Sequence, residues 1–201
     1  APDEHLDYSL PEYRPVIAEA MRALIEDDKP LDFEAQLRTA KGNIKWCRAI
    51  GQAIRKDGKT VAVYGTFQDV TERKRADKAL RQSETRFREL FENMSSGVAV
   101  YEALEDGRDF IFKDFNVAGE RIERISRDRV VGRRITEVFP GVEDMGLLDV
   151  LRRVWKTGVA EDHPVSQYKD GRIVGWRENH VYRLPTGEIV AVYDDVTVRK
   201  L

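Results

Sequence analysis

The sequence predicts an α+β protein whose antiparallel five-stranded sheet carries helices on one face, preceded by a helix with three strands and by a connecting helix. Three observations predict this architecture. A hexapeptide near position 70 recurs near position 196, strand-like runs separated by glycine turns precede both copies, and a charged helical segment lies between them. The 201 residues suffice for one large domain or two small ones.

The repeated hexapeptide is the most informative feature. Asp-Val-Thr-Glu-Arg-Lys at residues 69–74 returns as Asp-Val-Thr-Val-Arg-Lys at residues 195–200, so that the second copy lies 126 residues after the first. The preceding runs, 58–64 and 187–193, also match, and each is a turn glycine followed by a β-rich run. The offset equals about one small domain plus a connector, which is far longer than a solenoid period.

The segment before the first hexapeptide predicts one helix and three strands. Apolar residues at helical spacing predict a helix over residues 14–28, closed by Pro30. Residues 33–38 and 44–54 have the composition of strands, and the run at 58–64 provides the third.

The segment before the second hexapeptide predicts a longer series. In chain order, its elements are strands 97–103 and 110–115, a helix over 117–125 with Asn116 as N-cap, a short turn within 133–142, a helix over 145–156 capped by Gly158, and strands 161–168, 173–183 and 188–196. We therefore interpret the first copy as the C-terminal half of the same kind of domain.

The connecting segment, residues 71–94, is predicted to be one charged helix. Its apolar positions follow the a/d rhythm of a coiled coil that would pair two identical chains. These positions are Ala76, Leu80, Ser83, Phe87, Leu90 and Met94. The alternative is a surface helix whose apolar stripe packs against its own domain. The predicted domains are residues 1–72, a linking helix 73–94, a complete domain 95–198, and the start of an exit helix at 199–201.

Composition excludes several classes of partner and site. Lys and Arg total 34 against 36 for Asp and Glu, and this balance argues against nucleic-acid or anionic-membrane surfaces. The single Cys47 excludes an intramolecular disulfide and a multi-cysteine metal site. No apolar run approaches the ~20 residues that cross a bilayer. The chain begins at Ala1 with an acidic stretch, without Met or a signal peptide. We therefore interpret it as a fragment of a longer, cytoplasmic protein.

Several phrases resemble the PAS domain family. They lie at residues 110–116, 131–140, 175–184 and 195–200. They are similar to a PAS subfamily common in bacterial and archaeal sensor histidine kinases, and the resemblance covers residues 86–201. The hexapeptide is a hallmark of this family. In its second copy, Val198 stands where Glu is usual. Residues 5–74 resemble the C-terminal part of a further PAS domain.

The resemblance implies a PAS fold, in which a curled sheet and its helices enclose a cavity for small ligands. It also implies signal transmission where the last strand becomes a helix, because the Asp there can cap the helix or pair with a nearby arginine. The residues concerned are Asp69, Thr71, Arg73, Asp195, Thr197 and Arg199. A plain helix cap without a signalling role is the alternative interpretation.

The strand predicted at 173–183 offers candidate ligand-binding groups. Its alternation places Trp176, Glu178, His180 and Tyr182 on one face. If that face lines the cavity, Glu178 and His180 are candidate ligand-binding groups, and the opposite face, with Arg177, Asn179, Val181 and Arg183, is better suited to solvent. The candidate pocket comprises Phe115, Leu148, Leu151, Trp155, Trp176, Glu178 and His180. One alternative is that neighbouring strands or water satisfy the hydrogen bonds of Glu178 and His180. Another is that the apolar members are plain core residues.

No particular cofactor is predicted. The histidines, His5, His163 and His180, lie outside the helix that carries the axial ligand in haem-binding PAS domains, so haem is not expected. Cys47 lies in Lys-Trp-Cys-Arg, unlike the Asn-Cys-Arg-Phe-Leu-Gln motif of flavin photosensors, so flavin adduct chemistry is not expected. No metal-ligand spacing, nucleophile elbow or phosphate-binding loop is recognisable, and no catalytic residue is assigned.

We interpret the chain as a sensory input module, itself not an enzyme, that binds a small molecule or a partner and relays a conformational change through its helices. The expected output domain is a histidine kinase, with a diguanylate cyclase as the alternative. Two other classes remain open. One is a structural dimerisation module with a filled cavity, and the other is a small enzyme using Glu178 and His180 as an acid–base pair.

Overall fold

The computed structural model describes residues 8–200, and the chain divides into two compact units between Glu84 and Thr85. Each unit has its own sheet. His5, the domain start predicted at residue 1, and the chain end at Leu201 lie outside the described residues.

Unit 1 contains the predicted helix and three strands. They are α1 (Arg14–Asp27), β1 (Leu31–Arg38), β2 (Ile44–Lys56) and β3 (Lys59–Asp69), after a short 3-10 turn at Pro11–Tyr13. The strands form an antiparallel sheet in the order β1-β2-β3. Leu24 of α1 is buried against Leu31 and Ala49 of the sheet, which holds the helix on one face.

The connecting helix α2 (Thr71–Asn93) is confirmed over almost its full predicted length. Residues 75–90 are exposed throughout, including Leu80, Phe87 and Leu90. The apolar stripe of this middle segment is therefore not buried against its own domain. No helix within the described part of the chain has the length and apolar character needed to cross a membrane.

Unit 2 has the predicted five-stranded antiparallel sheet, in the order β5-β4-β8-β7-β6. Its elements are β4 (Gly97–Leu104), β5 (Asp109–Phe115), α3 (Val117–Glu123), α4 (Ile135–Val138), α5 (Leu147–Thr157), β6 (Glu161–Lys169), β7 (Val174–Arg183), β8 (Ile189–Asp195) and α6 (Thr197–Lys200). The α+β class and the PAS-type arrangement of a five-stranded sheet with helices are confirmed.

The main core of unit 2 lies between the inner face of this sheet and the helices α3, α4 and α5. The aromatic residues Phe110, Phe112 and Phe115 of β5 are almost fully buried, as are Leu148 and Leu151 of α5. Burying each such side chain contributes about 1.5–3 kcal/mol to folding. The outer face of the sheet has a smaller cluster in which Phe91 of α2, Val98 and Val190 are buried.

The repeat extends through the sheets, with one correction to the predicted register. Phe67 of β3 pairs with Ala49, and Tyr193 of β8 pairs with Asn179. Phe67 and Tyr193 are therefore equivalent, at the same 126-residue offset as the hexapeptides. The match of residues 58–64 with 187–193 was wrong by three residues. The reason is that β2 and β3 span 13 and 11 residues, whereas β7 and β8 span 10 and 7.

Asn116 connects three elements of unit 2 through its fully buried side chain. Its Oδ1 accepts the backbone N–H groups of Val98 (2.8 Å) and Gly119 (2.9 Å), the second of which is the predicted N-cap bond of α3. Its Nδ2 donates to the backbone carbonyls of Phe91 (3.0 Å) and Ser96 (3.0 Å). One amide thus joins the end of α2, the start of β4 and the start of α3.

Replacing this amide is expected to destabilise unit 2 strongly. Asn116→Ala leaves two backbone N–H groups and two carbonyls without their partner, for which we expect a loss of about 2–4 kcal/mol in the free energy of unfolding. The measurement is urea denaturation of the full chain. Asn93→Ala is the matched control, because its amide makes only exposed hydrogen bonds within α2, to Glu89. A loss in Asn116→Ala no larger than in the control would contradict this assignment.

Candidate functional site

The strand β7 presents to the helices the face that the sequence prediction assigned to solvent. Arg177, Asn179 and Val181 are buried, whereas Glu178 and His180 are exposed. The prediction that the Glu178 and His180 face lines a cavity is therefore wrong. Alternation separates the two faces but does not say which is inner when both carry charged side chains.

The predicted polar pair lies on the outer surface of the sheet. His180 Nδ1 is 2.5 Å from Asp162 Oδ1, and both side chains are more than half exposed. Its ring is also tilted against Tyr182, with 5.8 Å between centroids. Glu178 is exposed on the same strand. Both groups of the predicted acid–base pair are therefore open to solvent.

A cavity of about 40 Å³ lies against the inner face of the sheet in unit 2. The cavity is lined by Tyr101, Phe112, Phe115, Glu123, Ile135, Phe139, Val142, Met145, Leu147, Tyr168, Arg177, Asn179 and Tyr193. Aromatic and aliphatic walls with a few converging polar groups are the usual character of a small-molecule site.

Of the predicted pocket residues, Phe115 alone lines this cavity. Leu148 and Leu151 are fully buried core residues of α5, which agrees with the alternative interpretation. Trp155 is partly buried and covers Gly107, where an added Cβ would lie 2.3 Å from the indole ring. Trp176 lies on the outer side of β7, partly buried. The structure therefore does not bring these residues together at one site.

Two polar groups of the cavity have no hydrogen-bond partner within the described residues. They are the Asn179 side-chain Nδ2 and the Tyr193 hydroxyl, each buried to more than nine tenths. Burial raises the pKa of Tyr193 well above its usual value, and the negative charge of Glu123 raises it further. Tyr193 is therefore a neutral phenol that can donate a hydrogen bond. Unpaired buried polar groups are rare in folded proteins and mark positions where another molecule can bind.

Arg177 is the buried cation of the site, with only 5% of its side chain exposed. Its Nε donates to Glu123 Oε1 (2.9 Å), and its Nη1 lies 3.1 Å from Asp195 Oδ1. Weaker bonds run from the guanidinium to the carbonyls of Trp176 (3.3 Å) and Ile122 (3.4 Å). Burial raises the pKa of Glu123, and Arg177 offsets only part of that effect. Arg177 thus joins a cavity-lining carboxylate of α3 to the carboxylate that ends β8.

Asp195 also caps the helix that follows. Its Oδ1 accepts the backbone N–H of Thr197 (2.9 Å), and the Thr197 Oγ1 accepts the backbone N–H of Trp176 (2.9 Å). Burial raises the pKa of Asp195, but the hydrogen bonds from Thr197 and the charge of Arg177 outweigh it and lower the pKa overall. The carboxylate that caps α6 therefore stays ionised and contacts the cavity cation directly.

The first hexapeptide forms the same junction in unit 1. Asp69 Oδ1 accepts the backbone N–H of Thr71 (3.0 Å), and Thr71 Oγ1 accepts the backbone N–H of Trp46 (2.9 Å). The partner of Asp69 is Lys45, at 2.6 Å, on the surface. The hydrogen bond from Lys45 lowers the pKa of Asp69 most, and hydrogen bonds from Thr71 lower it further. The same cap therefore lacks a buried cation in this copy.

The predicted relay arginines lie on the surface. Arg73 forms an ion pair with Glu34 of β1, next to a second pair between Lys74 and Glu34 at 2.6 Å. Arg199 is exposed on α6. Of the six predicted relay residues, Asp195 forms an ion pair with a residue that lines the cavity of unit 2.

Unit 1 has a larger apolar hollow, of about 560 Å³, between α1 and its sheet. Its lining includes Met21, Phe33, Ile50, Val63 and Phe67. Ile50 and Val63 are partly exposed, and Phe67 exposes 69% of its surface. The hollow contains no buried charged pair comparable with that of Arg177. Unit 2 is therefore the better candidate site.

Sequence reasoning did not assign to the cavity the six lining residues that carry polar groups. They are Tyr101, Glu123, Tyr168, Arg177, Asn179 and Tyr193. The repeat contained a usable signal for the inner face of β7. The backbone N–H groups of Trp46 and Trp176 donate to equivalent threonines, so the two tryptophans are equivalent. The inward positions of β7 therefore align with the small residues of β2. Those small residues are Cys47, Ala49 and Gly51. Small side chains that face a helix in unit 1 indicate which alternate positions of β7 face inward in unit 2.

Comparison with known proteins gives one family match. A family model described as the PAS fold matches residues 1–67. A stretch of 82 residues, 40% of this chain, is 34% identical to the uncharacterized protein y4lL of Sinorhizobium fredii (strain NBRC 101917 / NGR234). The chain spans 10% of the length of that relative.

Two solved structures are similar to parts of this chain. A sensory box histidine kinase/response regulator from Burkholderia thailandensis E264 is 33% identical over 42% of this chain and 65% of its own, with a TM-score of 0.38. A domain of a sensory box sensor histidine kinase/response regulator from Geobacter sulfurreducens is 19% identical over 58% of this chain and 96% of its own, with a TM-score of 0.47.

The family match and the fold agree. The matched segment contains the helix and three strands of unit 1 up to the strand that leads into the first hexapeptide. Unit 2 repeats that helix, those strands and the same junction within a complete five-stranded sheet. Residues 1–67 match the model of the PAS fold.

Proposed function

We propose that this chain is a sensory input module in which a small molecule binds the cavity of unit 2 and the resulting change reaches the exit helix α6. The observation that carries the proposal is the continuous ion pair from Glu123 through Arg177 to Asp195. It connects the cavity wall with the helix cap by direct contacts.

The physical basis is competition for one guanidinium. Arg177 is shared by two carboxylates, one on α3 and one at the end of β8. A molecule that moves Glu123 or Asn179 changes how this charge is divided. Because the guanidinium is buried, a change in its charge distribution is screened less than one between two surface groups, and Asp195 lies in direct contact with it. The strength with which Asp195 caps Thr197 and α6 then depends on whether a ligand is bound. This dependence would shift the exit helix between two states, as a sensor requires.

The resemblance of the second copy to the PAS domains of sensor histidine kinases supports a histidine kinase as the output domain, and we propose a cytoplasmic setting for it. Homodimerisation is part of this proposal. Its support is the exposed apolar stripe on α2, where Leu80, Phe87 and Leu90 each expose more than half of their surface amid charged neighbours. Such a stripe at a/d spacing is typical of a helix that pairs with its copy.

Neutralising Asp195 is expected to lower the pKa of Glu123. Asp195 raises that pKa through its charge, and it also competes for Arg177. Because the pKa of Asp195 is itself lowered, Asp195 is ionised wherever Glu123 titrates, and the effect is fully present there. Asp195→Asn keeps an oxygen to cap Thr197. The measurement is a carbon-detected NMR titration of the Glu123 carboxyl above the usual Glu pKa of about 4.3.

Linkage gives the same experiment a second readout. A raised pKa in the folded state means that wild-type stability falls as pH rises from the usual Glu pKa through the raised one, and Asp195→Asn should reduce that fall. Asp194→Asn is the matched control, one residue earlier and exposed. An unchanged Glu123 pKa in Asp195→Asn, or an equal change in the control, would refute the proposed relay.

Disrupting the stripe on α2 is expected to separate a dimer. Leu80→Glu places a charge at a core position of the proposed coiled coil, where its desolvation opposes pairing. Sedimentation equilibrium should give twice the chain mass for wild type and a large shift to single chains for the variant. The control is Thr85→Glu, five positions along the helix and therefore on the opposite side. A monomeric wild type, or a dimer unaffected by Leu80→Glu, would exclude this arrangement.

A further inference from the structure

We infer that the cavity of unit 2 binds a neutral molecule of about three or four non-hydrogen atoms, with a hydrogen-bond-accepting oxygen directed at Asn179 and Tyr193 and an apolar end against the aromatic wall. The inference rests on the proposed function for the choice of site and adds the chemical class of the ligand.

The volume sets the size of the ligand. The cavity has a volume of about 40 Å³, and a single water molecule needs roughly 10–15 Å³. The space therefore suits about three water-sized groups. Nucleotides, flavins and haem are many times larger, so this cavity as formed does not take them.

The polar groups set the orientation of the ligand. The Asn179 Nδ2 and the Tyr193 hydroxyl can both donate, and neither has a partner within residues 8–200. A buried donor without an acceptor costs free energy that a ligand oxygen would recover. The remaining walls include Phe112, Phe115 and Phe139, which favour an apolar group on the other end of the molecule.

The charges exclude an ionic ligand. Arg177 is the only cationic side chain among the lining residues, and its nitrogens already bond to Glu123, to Asp195 and to two carbonyls. An anion would find no unpaired cation and would face the carboxylate of Glu123. A cation would lie beside the guanidinium of Arg177. Neutral molecules avoid both repulsions.

A matched pair of probes tests this class. Acetamide and acetate have the same shape and four non-hydrogen atoms each, and they differ in charge. We expect acetamide, titrated into the full chain at neutral pH, to shift the amide NMR signals of cavity-lining residues with a dissociation constant of about 1 mM. Acetate at the same concentrations should leave those signals unchanged. Equal shifts from both probes, or none from acetamide at 100-fold that concentration, would overturn the inference.

The Tyr193→Phe variant identifies the site of binding. It removes a hydroxyl without a partner in the described structure, so the fold should persist, and we expect acetamide to bind roughly 3–10-fold more weakly. Tyr182→Phe is the control, since Tyr182 packs on the outer face of the sheet. Unchanged affinity in Tyr193→Phe would mean that acetamide binds elsewhere.

The same titration separates this inference from the proposed function. Signals of the cavity residues report binding, and the amides of Val196 and Thr197 report the exit helix. Shifts in the cavity alone would uphold the ligand class and refute the relay. Absence of cavity shifts would refute the ligand class, while the pKa of Glu123 in Asp195→Asn would still decide whether the relay exists.

Discussion

The buried guanidinium of Arg177 is the constraint on which the geometry of unit 2 depends. Removing a charge from water costs several kcal/mol unless counter-charges and hydrogen bonds surround it. Here they come from α3, through Glu123 and a carbonyl, and from the end of β8, through Asp195. Because one cation must reach both carboxylates, the position of α3 over the sheet and the start of α6 are determined together. Packing of apolar residues alone would leave these elements freer to shift.

The two copies share the junction but differ in what the junction can detect. In both, a strand tryptophan binds the threonine that starts the next helix, and an aspartate caps that helix. The position of Arg177 is taken in unit 1 by Cys47, so the aspartate there pairs with a surface lysine instead. Surface ion pairs contribute about 0–1 kcal/mol and are screened by salt. The two units thus share the same strand-to-helix junction but differ in the interior residues next to it.

Local sequence patterns predicted most of the fold, but they did not predict contacts between residues far apart in sequence. The Asn116 cap of α3 and the Gly158 end of α5 follow from residues within one turn and were confirmed. The inner face of β7 was assigned wrongly because each face has both charged and apolar residues. The choice depends on Glu123, which lies 54 positions from Arg177 in sequence. No spacing rule anticipates such a partner, whereas the small residues of the equivalent strand in unit 1 would have indicated it.

The third strand of unit 1 has a consequence for handling the protein. Within residues 8–200, β3 forms backbone pairs on one side only, with β2, and it leaves Val61, Val63 and Phe67 largely uncovered. A long, apolar edge of this kind is a template on which other chains add strands. A fragment limited to unit 1 is therefore prone to aggregate through intermolecular β-pairing, and charged substitutions along that edge are the natural way to keep it dispersed.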